Sequence, residues 1–410
     1  NIVTSPRLEK AVQSVLQVIG YSDVARCFQT LPQPVRISLA DLARLPSMNK
    51  RDARDNVEQI VWRGVPGGAF RYNTGGSSGE PLVFFIGRER VSHDVAAKWR
   101  ATRWWGVDIG DKEIVAWGSP IELGAQDRVR IFRDLLFRSQ LIAAFDLSEQ
   151  KQLAFLQRIR DNKPKMLFGY PSVYHLLAQT AQKHGIAMDD LGIKVVFVTS
   201  ERLYPYQREL IENVFGAPVA NGYGGRDAGF IAHQCPSGGM HLSFEDIIVE
   251  IIDPASGAVL PAGQAGEIVV THLATSEFPF IRYRTGDIAT LSPESCSCGR
   301  SLPLLESIEG RSTDFVVAAD GTMMHGLALI YILRDIKGVT AFKIVQESLL
   351  HTRVQLVWPD GELPLAVQQQ IQQGFQARLG PQVHITLEQL DEIAPEKSGK
   401  YRYVISKVTA

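Results

Sequence analysis

The sequence predicts an α/β protein with a large N-terminal domain, built on a mainly parallel sheet plus a β-meander, and a small ferredoxin-like α+β C-terminal domain. Short apolar runs alternate with amphipathic helical patterns over residues 112–224, and turn-separated strands begin at residue 246. Beyond residue 310 the order of segments is β-α-β-β-α-β, the split βαβ arrangement. A chain of 410 residues also exceeds the usual size of one hydrophobic core.

Four apolar runs predict strands of the parallel sheet, and the amphipathic stretches between them predict covering helices. The strands are EIVAWGSP at 113–120, KMLFGYP at 165–171 and KVVFVTSE at 194–201, and PVANGYGG at 218–225 is read as a strand that passes into a loop before Tyr223. Helices are predicted at 172–185 and 205–216. Open sheets of this kind bind ligands beyond the carboxyl ends of their strands. We therefore expect a site in the loops after Val198 and Ala220.

Two strands within residues 247–273 flank a turn-rich stretch, which predicts an antiparallel meander. The C-terminal region has strands predicted at 315–321, 342–348, 352–359 and 383–390, helices at 326–336 and 365–380, and a polar tail at 391–410. We place the boundary after Arg311, which gives domains of residues 1–311 and 312–410.

Charge and composition argue against several classes of partner. The net charge of −1 provides no overall positive field for nucleic acid or an anionic membrane. The sequence has no run of 18 or more apolar residues, so we expect no membrane span. Four cysteines in 410 residues do not form a disulfide framework, which favours a reducing, cytoplasmic compartment.

A glycine-rich segment, TGGSSGEP at 74–81, precedes an apolar run. Its glycines allow the backbone to approach a bound anion, and Thr74, Ser77 and Ser78 supply hydroxyl donors. A Walker A loop would end in Gly-Lys-Ser or Gly-Lys-Thr, and the sequence from Gly79 through Glu80 excludes it. The segment therefore predicts a phosphate-binding loop of another kind, or a polar surface turn.

Three further segments carry functional groups. YGGRD at 223–227 offers an aromatic wall, a cation and the carboxylate of Asp227. In RYRTGD at 282–287, Asp287 on a tight glycine turn could accept both hydroxyls of a ribose, although such pairs are often turns only. In PEKSGKYR, Lys400 beside a glycine could enter a cleft and neutralise charge on phosphate and carboxylate oxygens. The alternative for Lys400 is a solvated basic tail.

Cysteine and histidine spacing predicts a structural zinc site within residues 235–298. Cys235 and His241 form one short cluster, and Cys296 and Cys298 form another. Three cysteines and one histidine are a common tetrahedral zinc set. His233 could replace His241, and the alternative is a set of buried free cysteines with a core histidine.

Taken in order, seven segments resemble the motifs of the adenylate-forming (acyl- and aryl-CoA synthetase) superfamily. The likeness runs from about residue 72 to residue 407 and is strongest to the phenylacetate–CoA ligase-like branch, which includes homologues found with capsular polysaccharide genes. That branch has a similar Cys, His, Cys-x-Cys arrangement. The segments resemble the phosphate loop (TGGSSGEP), acyl-pocket loop (FGYPS), adenine segment (VTSE), Tyr-Gly-x-x-Glu motif (YGGRD), ribose motif (YRTGD), hinge (GRSTDF) and catalytic-lysine motif (SGKYR).

The resemblance implies a mobile C-terminal domain, a homodimer, and two half-reactions that use ATP and Mg²⁺. A small carboxylic acid is first converted to acyl-AMP with release of pyrophosphate, and the acyl group then passes to the thiol of CoA or of an acyl carrier protein. The implied roles are phosphate binding by Thr74, Gly75, Ser77, Ser78 and Gly79; adenine contact by Ser200, Glu201, Tyr223 and Gly224; ribose binding by Asp287; a hinge contact by Arg311; acid binding by Phe168, Gly169, Tyr170 and Pro171, with Trp104 or Trp105; and catalysis by Lys400 and the magnesium-binding Asp227.

Two positions depart from the family pattern. Glu80 stands where many relatives have lysine, and Asp227 replaces the usual magnesium-binding glutamate. The shorter carboxylate must lie closer to the ion or bind it through water, because magnesium tolerates little distortion. Two hypotheses follow: an acid–thiol ligase, acting on an aromatic acid if the Tyr and Trp side chains line the pocket, or a non-catalytic scaffold in a polysaccharide or secondary-metabolite pathway.

Overall fold

The structure is a computed structural model that describes residues 2–3, 36–37, 39–74, 82–117, 134–143, 149–311, 315–320, 323–325, 327–359, 361–393 and 403–408. These residues divide into two compact units. The first contains the residues up to 285 and 289–308, and the second contains 286–288, 309–393 and 403–408. Among the described helices, none combines the length and apolar character that a membrane span requires.

The strands are numbered in chain order. They are β1 (Ile2–Val3), β2 (Arg36–Ile37), β3 (Phe70–Asn73), β4 (Val83–Ile86), β5 (Glu113–Trp117), β6 (Ser139–Ala143), β7 (Met166–Gly169), β8 (Val195–Thr199), β9 (Val219–Gly225), β10 (Gly229–Gln234), β11 (Met240–Leu242), β12 (Ile247–Ile252), β13 (Ala265–His272), β14 (Tyr283–Leu291), β15 (Leu304–Arg311), β16 (Phe315–Val317), β17 (Met323–His325), β18 (Ala341–Ser348), β19 (His351–Val357), β20 (His384–Leu390) and β21 (Val404–Ser406).

The helices are numbered in the same way. They are α1 (Leu39–Leu42), α2 (Lys50–Asp55), α3 (Val57–Ile60), α4 (Arg88–Arg103), α5 (Glu149–Asn162), α6 (Pro171–Lys183), α7 (Pro205–Phe215), α8 (Leu327–Arg334) and α9 (Leu365–Leu379).

The large sheet has the strand order β12-β13-β14-β15-β11-β10-β9-β8-β7-β5-β6. The predicted parallel sheet forms its second half, since β6, β5, β7, β8 and β9 pair in parallel. The predicted meander is confirmed where β12 pairs antiparallel with β13. Every residue of β7 and β8 is buried, as expected for strands covered on both faces.

Helices cover both faces of the parallel strands. On one face, a buried cluster contains Leu156 of α5, Leu177 of α6 and Ile211 of α7. On the other, Ala101 of α4 packs with Phe168 and Phe197 of neighbouring strands. Prolines at the first position of α6 and α7 fix the backbone angle required there, and their missing N–H groups have no intrahelical partner to lose.

The second unit contains a four-stranded sheet in the order β20-β19-β18-β21. The predicted order of strands and helices from 315 to 390 is confirmed, but the membership of the sheet differs from the ferredoxin-like prediction. The predicted first strand pairs only with β17 among the described strands, and Val404–Ser406, predicted as polar tail, takes the edge beside β18.

A side-chain amide accounts for this difference. Gln346 of β18 is fully buried; its Nε2 donates to the carbonyl oxygen of Val317 (2.6 Å), and its Oε1 accepts the Val317 N–H (3.0 Å). The same Oε1 accepts the Ser406 hydroxyl (2.9 Å). Gln346 thus gives β16 the hydrogen bonds that strand pairing would otherwise supply.

Candidate functional site

The glycine-rich segment connects the two strands of a hairpin. Residues 75–81, including Gly75, Ser77, Ser78, Gly79 and Glu80, lie outside the described residues. At its base, β3 pairs antiparallel with β4, and Thr74 closes the hairpin: its N–H donates to the Leu82 carbonyl, and its Oγ1 accepts the Leu82 N–H, each at 2.9 Å. The Thr74 oxygen acts as acceptor in that contact, so its hydroxyl hydrogen is not used in closing the hairpin.

The loop after β8 begins with an unusual backbone conformation. Ser200 has φ of 71°, in the left-handed region that non-glycine residues rarely adopt. The next residue, Glu201, accepts the Ser172 backbone N–H through Oε2 at 3.2 Å. Its carboxylate therefore lies at the N-terminus of α6, where negative charge is favourable. The predicted adenine segment thus connects the ends of β8 and β7.

Tyr223 and Gly224 lie inside a strand. The prediction that the chain leaves the strand before Tyr223 is wrong, since β9 continues to Gly225 and pairs Gly224 with Phe230 of β10. The hairpin turn is residues 226–228. Pairing with a neighbouring antiparallel strand extends β9 beyond the parallel sheet and projects this turn past its carboxyl edge.

The turn carries Asp227 and connects it to the glycine-rich hairpin. Asp227 Oδ2 accepts the Tyr283 hydroxyl at 2.8 Å, and Oδ1 accepts the Ala228 N–H at 3.0 Å. Arg226 Nη1 donates to the carbonyl oxygen of Asn73 at 3.3 Å. Asn73 directly precedes the predicted phosphate loop, and Arg226 directly precedes the predicted magnesium ligand. Their hydrogen bond therefore holds these two parts of the site together.

Helix α4 lies beneath this turn and contributes groups that the sequence analysis did not identify. Arg90 is fully buried and donates from Nε to Asp94 Oδ2 at 2.9 Å. Its other nitrogens donate to the carbonyl oxygens of Arg226 and Asp227. In the sequence, GRERVSHD shows only that a helix segment is charged, so no pattern distinguished Arg90 from its solvated neighbours.

The predicted acid-binding residues lie at the end of β7. Gly169 has φ of 155°, and a Cβ there would lie 2.2 Å from the Ala116 carbonyl oxygen, so the close approach of β7 and β5 requires glycine. Tyr170 stacks on Trp117 with a centroid distance of 4.7 Å. Phe168 stacks between Trp117 and Phe197.

These aromatic residues pack in the interior. Phe168, Tyr170 and Pro171 are buried, and Lys98 Nζ lies 4.5 Å from the centroid of the Phe168 ring. Trp104 and Trp105 pack against the same cluster as Phe168, and Trp105 Nε1 donates to the Gln234 carbonyl at 2.9 Å. Packing explains their positions fully, and contact with an acid stays a prediction.

The remaining predicted residues belong to other parts of the chain. Asp287 was predicted on a tight turn, which is wrong: it lies within β14, where Gly286 has φ of 77°. Arg311 is the last residue of β15. The hinge residues 312–314 and Lys400 lie outside the described residues. Their roles stay predictions.

The four predicted zinc ligands come together. The ligand atoms of Cys235, His241, Cys296 and Cys298 all lie within 4.8 Å of one another. The sulfurs of Cys235 and Cys296 are 3.7 Å apart, and Cys298 Sγ is 3.2 Å from His241 Nε2. Zn–S bonds of ~2.3 Å in a tetrahedron place sulfurs about 3.8 Å apart. The donor set therefore fits a closed zinc site.

The alternative ligand His233 lies outside this set. Its ring packs against Phe197 and Phe230 with centroid distances of 5.8 and 5.3 Å. Complete burial, with a smaller effect from the positive charge of Arg100, lowers the pKa of His233 to about 3. His233 is therefore a neutral core residue at ordinary pH.

Comparison with known proteins agrees with this arrangement. The family model of the AMP-binding enzymes matches residues 74–276, and that of the CapK C-terminal domain matches residues 316–407. Protein CapK of Staphylococcus aureus is 23% identical over 91% of this chain and 82% of its own length. Phenylacetate-coenzyme A ligase of Pseudomonas putida is 28% identical over 68% of this chain, which spans 63% of that ligase.

A solved structure shares the fold. The crystal structure of 2-hydroxyisobutyryl-CoA ligase in the postadenylation state, in complex with R3-HIB-AMP, superposes with a TM-score of 0.74 at 23% sequence identity. The match covers 98% of this chain and 88% of that one.

Proposed function

Because the chain belongs to the adenylate-forming ligases, in the branch of phenylacetate-coenzyme A ligase and CapK, we propose that it activates a carboxylic acid with ATP and transfers the acyl group to a thiol. In the first half-reaction, a carboxylate oxygen bonds to the α-phosphorus, the bond from that phosphorus to the leaving pyrophosphate breaks, and acyl-AMP remains. In the second, the thiol sulfur bonds to the acyl carbon, AMP leaves with the electrons of the broken C–O bond, and the thiol proton passes to solvent.

One contact carries the proposal. The Arg226–Asn73 hydrogen bond of 3.3 Å joins the turn that bears Asp227 to the base of the glycine-rich hairpin. Triphosphate binding needs backbone amides, hydroxyls and a metal-binding carboxylate within a few ångströms of one another. In our assignment Ser200 and Tyr223 flank adenine, Asp287 binds ribose, and Lys400 neutralises charge developing at the reacting oxygens. The phosphates are held by Thr74, Gly75, Ser77, Ser78 and Gly79.

Asp227 is suited to hold magnesium. It supplies hard oxygen donors, which Mg²⁺ prefers. Its Oδ2 accepts the Tyr283 hydroxyl and its Oδ1 accepts the Ala228 N–H, and each oxygen has a second lone pair. Magnesium would supply charge neutralisation of the phosphates. Asp227 would orient it, and Tyr283 would hold the carboxylate in place.

We further propose an aromatic acid as substrate and CoA or a carrier-protein thiol as acceptor. The stacked rings of Trp117, Phe168 and Tyr170 at the end of β5 and β7 support a flat, apolar acid. In our assignment the acid contacts this edge of the sheet at residues 168–171. A structural zinc ion would be held by Cys235, His241, Cys296 and Cys298 and would take no part in the chemistry.

Pyrophosphate release with a panel of aromatic and aliphatic acids tests the proposal. Lys400→Ala should lose most acid-dependent release, by ~10²–10³-fold, because one charged transition-state contact is removed. Lys407→Ala is a matched control, since Lys407 pairs with Glu347 on the same unit. Absence of acid-dependent release from the wild type across the panel would favour the scaffold hypothesis. Equal loss in both variants would contradict the role of Lys400.

A further inference from the structure

The buried side chain of Arg90 binds the turn that carries Asp227. Its Nε donates to Asp94 Oδ2 at 2.9 Å. Nη1 and Nη2 each donate to the Asp227 carbonyl oxygen at 3.3 Å, and Nη2 also donates to the Arg226 carbonyl at 3.4 Å. A buried guanidinium needs such acceptors, because desolvating an unpaired charge is costly. Arg90 therefore connects α4 to the main chain of residues 226–227.

Asp94 lies beside the other end of the same turn, one helical turn after Arg90. Burial raises the pKa of Asp94, whereas the adjacent Arg90 and the nearby backbone N–H of Phe230 favour its charged form and oppose that shift. The ion pair thus lies against the carbonyl groups of the turn and close to the start of β10.

Tight packing prevents the turn from shifting over the pair. Gly229 has φ of 83°, and a Cβ there would lie 2.9 Å from His272 Nε2 and 3.0 Å from Arg90 Nη2. Both of these distances are shorter than a real Cβ normally keeps from other atoms, so a side chain at position 229 would not fit. The backbone therefore reaches the guanidinium directly, with no side chain between them.

Tyr283 restrains Asp227 from the other side. Its hydroxyl donates to Asp227 Oδ2 at 2.8 Å, while Arg90 holds the Asp227 carbonyl. The residue is therefore fixed at both its side chain and its main chain. An aspartate that replaces a longer glutamate has less reach, and magnesium tolerates little distortion, so its backbone position decides whether the oxygen meets the ion.

We propose that Arg90, paired with Asp94, is a positioning residue that sets the Asp227 carboxylate for the magnesium–ATP complex. This inference rests on the proposed function. Groups of this kind orient a metal ligand without touching the metal, and their loss typically lowers metal affinity by ~10–100-fold. Arg90→Met should therefore raise the magnesium concentration needed for half-maximal pyrophosphate release by at least ~10-fold, with the KM for the acid nearly unchanged.

Three variants separate positioning from general stability. Arg90→Lys keeps a cation beside Asp94 but loses the fork of donors, so it should recover part of the magnesium affinity. Leu177→Ala, in the buried cluster under α6, is a matched control that destabilises the protein without contacting the turn. In the Arg90→Met, Asp227→Asn double variant, the loss of magnesium affinity should equal the loss in Asp227→Asn alone, because Arg90 acts on the metal through Asp227.

Hydrogen exchange and metal binding give readouts that do not depend on turnover. Amides of residues 226–230 should exchange faster in Arg90→Met than in Leu177→Ala at matched stability. Mn²⁺ binding in the presence of a non-hydrolysable ATP analogue should weaken in Arg90→Met only. Unchanged exchange and Mn²⁺ affinity, or an additive double variant, would overturn the inference. If the wild type releases no pyrophosphate, the proposed function fails, while these two measurements still test Arg90.

Discussion

Removal of zinc from the Cys235, His241, Cys296 and Cys298 site should destabilise the first unit without abolishing adenylation. Cys235 and Cys296 are 61 residues apart in sequence, and their sulfurs are 3.7 Å apart. A metal that links them closes that loop in the unfolded chain as a disulfide would. The loop-closure relation gives ~3 kcal/mol for 15 residues and ~4.7 kcal/mol for 100, so we expect about 4 kcal/mol here.

The assay combines metal analysis with thermal unfolding. We predict one zinc per chain, and chelation or Cys298→Ala should lower the midpoint of unfolding by roughly 10 °C, given ~2–4 °C per kcal/mol for domains somewhat smaller than this one. The Cys27→Ala variant is the control, because Cys27 is the cysteine outside the set. Well under one zinc per chain in protein purified without chelator would refute the reasoning. So would an unfolding midpoint that chelation leaves unchanged.

Two further predictions concern the buried polar groups. Gln346→Ala should lower the free energy of unfolding by roughly 2–4 kcal/mol, because it leaves the Val317 N–H and carbonyl groups without their partner. The control is Gln355→Ala, at a half-buried position of β19, which should lower the free energy of unfolding in urea by less than ~1 kcal/mol. Equal losses in the two variants would contradict the anchoring of β16 by Gln346. The pKa of His233 falls from 6.5 to about 3 on folding, so below pH 6.5 the unfolded chain binds a proton that the folded chain does not. As the pH is lowered from 6.5 to 5, the free energy of unfolding should therefore fall by up to ~1.4 kcal/mol per pH unit. His233→Leu should reduce that slope, and an unchanged slope would contradict the assignment.

The sequence predicted the elements whose signals are local. The apolar runs at β7 and β8 and the proline-started helices α6 and α7 are found where the periodicity indicated. The approach of Cys235, His241, Cys296 and Cys298 to one another was also predictable from their paired spacing, and zinc binding by them stays a prediction. These signals require only neighbours within a few residues.

Features that depend on distant partners were missed. Tyr223 stays in β9 because β10 pairs with it, and Val404–Ser406 becomes a strand because the edge of β18 is free for it. Arg90 became significant only when the fold brought residues 226–227 over it. The homodimer, the cytoplasmic location and the boundary after Arg311 stay predictions.

Direct detection of acyl-AMP tests the central claim most directly. The full chain would be incubated with ATP, magnesium and a panel of aromatic acids without thiol, and the bound nucleotide would be identified by mass spectrometry. We predict one acyl-AMP per chain for at least one acid, lost in Lys400→Ala, retained in Lys407→Ala, and consumed when CoA or a carrier-protein thiol is added. Recovery of ATP alone from the wild type with every acid would contradict the account.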